Sequence, residues 1–369
     1  MPTALTWTLP HAVAGIMVLS LNAYVLLGGA DFGGGVWDLF ARGPHRDAQR
    51  ALIAEAIGPI WEANHVWLIL VVVLLFTCFP RAYAHLGTEL HVPITLMLVG
   101  IVLRGSAFTF RTYDSTRDAV QRRWGRIFSV ASVATPVVLG LCLGAVVSGR
   151  VPLRAPRVMP LGASLGGPLH TDVPLDVATP VPSFVERFIA PWAASPFAWS
   201  VGLLTLVLFA SLAATYLTVE APDRALKDVF RRRALQSQVA LLVTAALTMG
   251  LAKHEAPLVF AGLTQGSVAL AMHAVTAVAA ITSILTLQRR AYSAARLAVA
   301  AQASCILWAW AWSQFPLLLP PNGFITELAA SRVTLALVLG VLGFGTAILL
   351  PSFVYLFRVF KRGHTVFES

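Results

Sequence analysis

Nine apolar stretches, each long enough to cross a membrane as a helix, dominate this chain. A hydrocarbon core of about 30 Å takes about 20 residues of α-helix to span. Of the 369 residues, 57% are apolar and only 12% are charged, more apolar surface than a soluble fold can bury. The pattern predicts an all-α, polytopic integral membrane protein with nine transmembrane helices. The predicted spans cover approximately residues 11–40, 53–79, 91–110, 127–148, 198–219, 236–252, 268–287, 297–316 and 333–360.

The positive charges are distributed unevenly between the segments that connect these spans. Cytoplasmic segments are enriched in Lys and Arg. With the amino terminus outside, 19 of the 27 Lys and Arg residues fall on the cytoplasmic side and seven outside, and Arg104 lies within the third span. This split predicts an outside, periplasmic amino terminus and a cytoplasmic carboxyl terminus. Because the net charge of +10 is scattered over short connections, it does not indicate a nucleic-acid partner.

The long connection divides an otherwise single membrane domain, 1–369. Residues 11–148 form the first four predicted helices and carry the polar motifs, and residues 197–369 form the other five. Residues 149–196 are rich in Pro and Gly and predict a loop on the outside.

Three ionisable residues fall clearly inside predicted spans: Asp31, Glu62 and Arg104. Charged groups at membrane depth are costly and mark functional positions by default. Glu62 comes ten residues after position 52, about 15 Å along one continuous helix. Two carboxylates at different depths suit a proton path from the cytoplasm, which the hydroxyl of Ser132 could bridge. A buried Glu62–Arg104 ion pair that only fixes helix packing, with Ser132 bonded to its own helix, remains the alternative.

A glycine-rich segment surrounds Asp31, but it lacks the Lys-Ser/Thr of a phosphate loop. In a membrane helix such glycines permit close contact, so we expect another backbone or another subunit beside Asp31. The three Cys residues have no metal-binding or CxxC spacing and predict buried thiols, with no metal ligated by the chain. His65 and His273 lie within predicted spans. Each is a candidate heme ligand or, alternatively, a hydrogen-bonded core histidine.

Two motifs resemble a known family. Residues 29–35 read GADFGGG and are similar to the family motif G-F-D-x-G-x-G; residues 59–69 read PIWEANHVWLI and are similar to P-x-W-[DE]-x-N-x-V-W-L. Over essentially its whole length, the chain resembles subunit II of the cytochrome bd-type quinol oxidases, including the cyanide-insensitive branch. Further matches are Leu103-Arg104-Gly105 with Phe108 and Arg111, Tyr216-Leu217 before Arg231-Arg232-Arg233, and Pro351 with Tyr355.

The resemblance implies a complex of the bacterial cytoplasmic (inner) membrane that oxidises quinol and reduces dioxygen to water. Subunit I would ligate heme b and, in some members, heme d, leaving no catalytic residue in this chain. The expected partners are subunit I in a heterodimer, small accessory subunits, quinone and membrane lipid.

Roles for individual residues also follow from the resemblance. Asp31, Glu62 and Ser132 match the proton path; Trp61, Glu62 and Arg104 match positions beside a heme propionate or its carboxylate partner; Trp67 matches a tryptophan beside oxygen access.

One departure affects the proton path. Many relatives carry an Asp three residues before the matched Asp, where this chain has Gly28, and Asp38 is a candidate substitute. Ala30 also replaces the usual Phe beside Asp31.

Two other classes of function remain open from the residues. A proton-coupled transporter would use Asp31 and Glu62, although few Pro/Gly breaks recur in two halves. A heme-binding membrane anchor of a dehydrogenase would need His65 and His273.

Overall fold

The computed structural model describes residues 8–57, 61–113, 118–153 and 182–363. These residues form fifteen helices and one antiparallel pair of short strands. The helices are α1 (Leu9–Leu39), α2 (Arg46–Ile57), α3 (Trp61–Cys78), α4 (Pro80–Glu89), α5 (His91–Tyr113), α6 (Asp118–Val147), α7 (Phe184–Phe188), α8 (Ala190–Ala193), α9 (Pro196–Glu220), α10 (Arg224–Glu255), α11 (Pro257–Thr264), α12 (Ser267–Gln288), α13 (Tyr292–Gln314), α14 (Ile325–Leu328) and α15 (Arg332–Gly363), and the strands are β1 (Leu317–Leu319) and β2 (Gly323–Phe324).

Seven of the described helices are long and apolar enough to cross a membrane: α1, α5, α6, α9, α10, α12 and α13. An eighth span results if α3 and α4, which meet at a bend of 115°, are counted together. Within α15, residues Arg332–Ile348 form a shorter apolar segment. The helices support a multi-pass membrane protein, while the count of nine spans and their orientation stay predictions.

The predicted second span, 53–79, is divided between two helices. α2 ends at Ile57 and α3 begins at Trp61, with residues 58–60 outside the described part. α2 alternates buried apolar residues with charged ones, so it is amphipathic rather than membrane-spanning. The predicted depth of Glu62 assumes one continuous helix from position 52. Because residues 58–60 are outside the described part and Glu62 lies in the first turn of α3, that depth stays a prediction.

Several short elements between the long helices have no counterpart among the predicted spans. α4 begins at Pro80 and α11 begins at Pro257, each directly after a longer helix. Proline cannot continue a preceding helix but suits the first turn of a new one, so both prolines mark a change of direction. The pair β1–β2 is a small departure from an all-α chain. Of the predicted outside loop, residues 154–181 lie outside the described residues.

Helix α1 lies inside the bundle, in contact with α3, α6 and α9. Its glycines make this possible: a Cβ on Gly33 would collide with the backbone carbonyl of Phe209 in α9, and one on Gly35 would collide with Ser132 in α6. Close helix approach beside Asp31 is therefore confirmed.

Polar contacts join neighbouring helices at both ends of the bundle. At one end, Arg233 Nη2 of α10 donates to the Phe40 carbonyl after α1 at 2.9 Å, and Arg290 pairs with Asp228 at 3.2 Å. At the opposite end, Arg150 after α6 pairs with Glu255 of α10 at 2.9 Å. The first end carries the Lys- and Arg-rich connections that the sequence assigns to the cytoplasm.

Candidate functional site

One face of α1 carries Tyr24, Gly28, Asp31, Gly35 and Asp38, spaced alternately four and three residues apart. Residues at this spacing lie above one another on a helix. All five are buried. We call this set the α1 stripe. It brings two carboxylates and a phenol to one side of a mostly apolar helix.

Asp31 lies at the centre of the stripe and is 5% exposed. Asn64 Nδ2 of α3 donates a hydrogen bond of 2.6 Å to Asp31 Oδ2, and both side chains are buried. A buried carboxyl group needs such a partner, because desolvation without a hydrogen bond is costly. The bond joins the two motifs that carry the family resemblance.

Arg104 of α5 is the buried cation of the site, at 2% exposure. Its Cζ lies 4.6 Å from the centroid of the Phe32 ring and 5.4 Å from that of Phe128. It also interacts electrostatically with Asp31 and Tyr24. Among the described residues, its Nε and Nη2 atoms have no hydrogen-bond acceptor. A guanidinium held between two rings with free donors suits an anionic oxygen group that arrives from elsewhere. We call Tyr24, Asp31, Asn64 and Arg104 the Asp31 cluster.

Asp38 forms a second cluster at the end of α1. Its side chain has no exposure, and it accepts from Arg111 Nη1 at 2.9 Å and from Ser129 Oγ at 2.9 Å. Arg50 Nε of α2 lies 3.7 Å away. Asp38 and these three partners, the Asp38 cluster, join four different helices at the basic end of the bundle. Asp38 is thus a buried, ion-paired carboxylate.

Ser132 lies between the two clusters. It is fully buried beside Gly35, which is one helix turn from both Asp31 and Asp38. Its hydroxyl donates to the Phe128 carbonyl at 2.7 Å. This is the bond within its own helix that the sequence analysis names as the alternative. The hydroxyl oxygen can still accept a hydrogen bond from another group.

The remaining predicted site residues lie on α3. Trp61 and Glu62 open this helix, and their side chains lie outside the part that the structure describes. The Glu62–Arg104 pair and the roles of Trp61 and Glu62 therefore stay predictions. Trp67 is half-buried against a core that includes Tyr24 and Phe32.

The two histidines considered as heme ligands differ in surroundings. The ring of His65 lies 6.0 Å from the rings of Tyr24 and Phe32, beside the Asp31 cluster. His273 is exposed on α12, and its Nδ1 lies 2.9 Å from the Ala269 carbonyl. The described residues contain no group of three or more His, Cys, Asp or Glu side chains placed to hold a metal ion.

Sequence reasoning singled out Asp31, Arg104 and Ser132 but not Tyr24, Asn64 or the full Asp38 cluster. Tyr24 had a signal, because seven residues before Asp31 is two helix turns on the same face. Asn64 could have been found from the second motif, in which it matches the family's Asn. The partners of Asp38 come from 12 to 91 residues away in sequence, so only the fold brings them together.

Comparisons with known proteins agree on one family. Over 118 residues the chain is 32% identical to the Cytochrome bd ubiquinol oxidase subunit 2 of Bacillus subtilis (strain 168), covering 32% of this chain and 34% of that protein. Over 225 residues it is 25% identical to the Cytochrome bd-I ubiquinol oxidase subunit 2 of Escherichia coli (strain K12), covering 61% of this chain and 51% of that protein. The matches thus span about half or less of these relatives.

The fold has a solved counterpart. A chain of "The structure of bd oxidase from Geobacillus thermodenitrificans" aligns with a TM-score of 0.73 at 21% identity, over 98% of this chain and 100% of that chain. The family model described as "Cytochrome bd terminal oxidase subunit II" matches residues 9–360. Because that match covers nearly the whole sequence, the chain belongs to the cytochrome bd terminal oxidase subunit II family.

Proposed function

We propose that this chain is the subunit of a bd-type respiratory quinol oxidase that ligates no heme and supports proton delivery to the hemes of subunit I. The complex would oxidise quinol and reduce dioxygen to water in the bacterial cytoplasmic membrane. The hemes, bound by the partner, would supply the redox chemistry. This chain would span the membrane nine times with its amino terminus outside.

The observation that carries the proposal is the pair of buried clusters on the α1 stripe. Asp38 and Asp31 are seven residues apart, which corresponds to about 10 Å along the helix. Ser132 lies beside the stripe between them. The first cluster is at the basic end of the bundle, which we assign to the cytoplasm from the distribution of Lys and Arg.

In this mechanism Asp31 holds the transferred proton. Its carboxyl group is charged or neutral according to proton supply, and Asn64 keeps it oriented in both states, because an amide can donate to a carboxylate and accept from a carboxylic acid. Ser132 and bound water would bridge the interval toward Asp38. Glu62 would take the proton beyond Asp31, and Trp67 would border oxygen access.

Arg104 would hold the anionic edge of the partner's cofactor. Two of its donors lack acceptors within the described residues, and a heme propionate offers the planar carboxylate that a guanidinium binds through two hydrogen bonds. Trp61 and Glu62 would lie beside the same propionate.

The test is expression of this chain with its partner subunit, followed by purification through a tag on this chain. We expect a heme-bearing hydrophobic partner to copurify and the complex to consume oxygen with a reduced quinol. In Glu62→Gln, oxygen consumption should fall at least about tenfold with the heme spectrum unchanged, in line with general acid–base contributions. Purification of this chain without a partner and without heme would overturn the proposal.

A further inference from the structure

Tyr24 occupies the space above Gly28 on the α1 stripe. A Cβ atom at position 28 would lie 2.8 Å from Tyr24 Cε2 and 3.0 Å from Tyr24 Cδ2, closer than side-chain contacts normally allow. The Tyr24 ring is 1% exposed and packs against the His65 ring at a centroid distance of 6.0 Å. Position 28 is therefore a glycine that makes room for the ring of Tyr24.

The polar end of Tyr24 belongs to the Asp31 cluster. The ring lies over Gly28, which comes between Tyr24 and Asp31 on the same face of α1, so the ring is on the side of Tyr24 that faces Asp31. Tyr24 lies two helix turns before Asp31, on the side away from the Asp38 cluster and the basic end. Along the stripe the order is thus Asp38, Asp31 and then Tyr24. The phenol is therefore a proton-carrying group of the α1 stripe beyond the carboxyl group that we place on the proton path.

We propose that the Tyr24 hydroxyl relays protons beyond Asp31. Protonated Asp31 passes its proton to the phenol oxygen, directly or through one water, while the phenolic hydrogen passes to a water molecule on the side of Tyr24 away from Asp31. The tyrosine is unchanged after each transfer, and Asp31 returns to its carboxylate. A hydroxyl suits this step because it donates and accepts at the same time.

This inference rests on the proposed proton path. It assigns to Tyr24, with Gly28 as its steric requirement, the role of a positioning and relay residue between Asp31 and the partner's hemes. Gly28 then has a reason of its own: any side chain there would push the phenol away from Arg104 and Asp31. A carboxyl group at position 28 could carry the proton in place of the phenol, but it fits only if the ring of Tyr24 is removed.

The experiment uses the purified complex with its partner subunit and measures quinol-driven oxygen consumption in H₂O and D₂O, with the heme spectrum and melting temperature. Tyr24→Phe keeps the ring and removes the hydroxyl. We expect a rate loss of at least about tenfold and a larger solvent isotope effect, with heme and melting temperature unchanged. Tyr216→Phe, which removes a hydroxyl near the end of α9 and outside the α1 stripe, is the matched control and should keep the native rate.

A rescue experiment distinguishes a proton-relay role of Tyr24 from a packing role. Tyr24→Leu should lose the rate, and Tyr24→Leu with Gly28→Asp should regain a large part of it, because the carboxyl group takes over the relay. Native rate in Tyr24→Phe, or a loss of rate accompanied by loss of heme, would overturn the inference. If Asp31→Asn is inactive while Tyr24→Phe is fully active, only the Tyr24 role fails. If both variants keep the native rate, the proposed proton path itself fails.

Discussion

At Gly33 the backbones of α1 and α9 approach so closely that no side chain fits between them. A Cβ there would collide with the Phe209 carbonyl and lie 2.7 Å from Ala213 Cβ. Gly15, on the same helix, has open space around its Cα hydrogen. One helix thus offers a glycine that packing requires and one that it does not.

Gly33→Ala is expected to destabilise the protein, because the added methyl group forces α1 and α9 apart. Overpacking of this kind costs about 1 to 3 kcal/mol in the free energy of unfolding. Gly15→Ala should be neutral or stabilising by up to about 1 kcal/mol, since alanine is the better helix former. Thermal unfolding in detergent measures both. Equal melting temperatures for the two variants would contradict the packing described for Gly33.

Arg104 gives the second prediction at the residue scale. Replacing Arg104 leaves Asp31 buried without its neighbouring cation, which lowers the free energy of unfolding unless the carboxyl group takes up a proton. Arg104→Leu should therefore destabilise the chain more than Arg104→Lys does, and it should weaken heme retention in the complex. Arg104→Lys should retain heme only partly, because an ammonium cannot form the two-pronged bond of a guanidinium. Heme absorbance per complex is the measurement, and full heme content in Arg104→Leu would exclude the propionate role.

At the scale of elements, the Asp38 cluster is an ionic clamp. It joins the end of α1 to α2, α5 and α6 around one carboxylate with no exposure. By contrast, the Arg296–Glu220 pair between α13 and α9 is about half exposed on both sides. Because the Asp38 cluster is buried, breaking it should lower the free energy of unfolding far more than breaking the exposed Arg296–Glu220 pair does.

Arg111→Gln is expected to cost on the order of 3 kcal/mol of unfolding free energy, because it removes the nearest cation from buried Asp38. Arg296→Gln removes the same charge and should cost less than about 1 kcal/mol. Denaturation in mixed micelles compares the two. A similar cost for both would show that Asp38 is more hydrated than its burial indicates.

The short helix α7 carries a pH-dependent cap outside the membrane-spanning segments. The Ser183 backbone N–H and hydroxyl donate to Glu186 Oε2 at 2.8 and 2.9 Å, and these bonds lower the pKa of the Glu186 carboxyl group below its usual value. A lowered pKa means that the cap stabilises α7 above the ordinary Glu pKa of about 4.3 and is lost as pH falls through the folded value.

We therefore expect hydrogen-exchange protection of the Glu186 amide to fall in acid, after correction for intrinsic exchange. In Glu186→Gln the protection should not change over the same pH range. Acid-induced loss of protection in both proteins would assign the change to another group.

The long apolar helices could be predicted from sequence because their signal is local: apolar length and charge at the ends. The sequence predicts one span over 53–79 because Ile53, Ile57 and the residues after Trp61 form one apolar run, whereas the structure describes two helices, α2 and α3, on either side of residues 58–60. Asp31 and Arg104 could be predicted because charge is rare at membrane depth. Their geometry could not, since the rings of Phe32 and Phe128 and the amide of Asn64 come from three different helices.

At the scale of the whole molecule, one line of buried polar groups runs along α1. Contacts at the basic end connect α1, α2, α5, α6 and α10, and the α1 stripe leads from that end into the core. Exposed apolar side chains on α10, α12 and α15 suit lipid or a partner subunit. The molecule thus has a line of buried polar groups on α1 within an apolar exterior, which is the arrangement that the proposed proton path needs.

The central claim is that this interior line carries protons, and Asp31→Asn tests it most directly. The variant keeps size and hydrogen bonding but cannot hold a transferable proton. The measurement is quinol-driven oxygen consumption by the complex with its partner, with the heme spectrum recorded on the same sample. We predict a rate loss of at least about tenfold with the spectrum intact. A native rate with intact hemes would contradict the account.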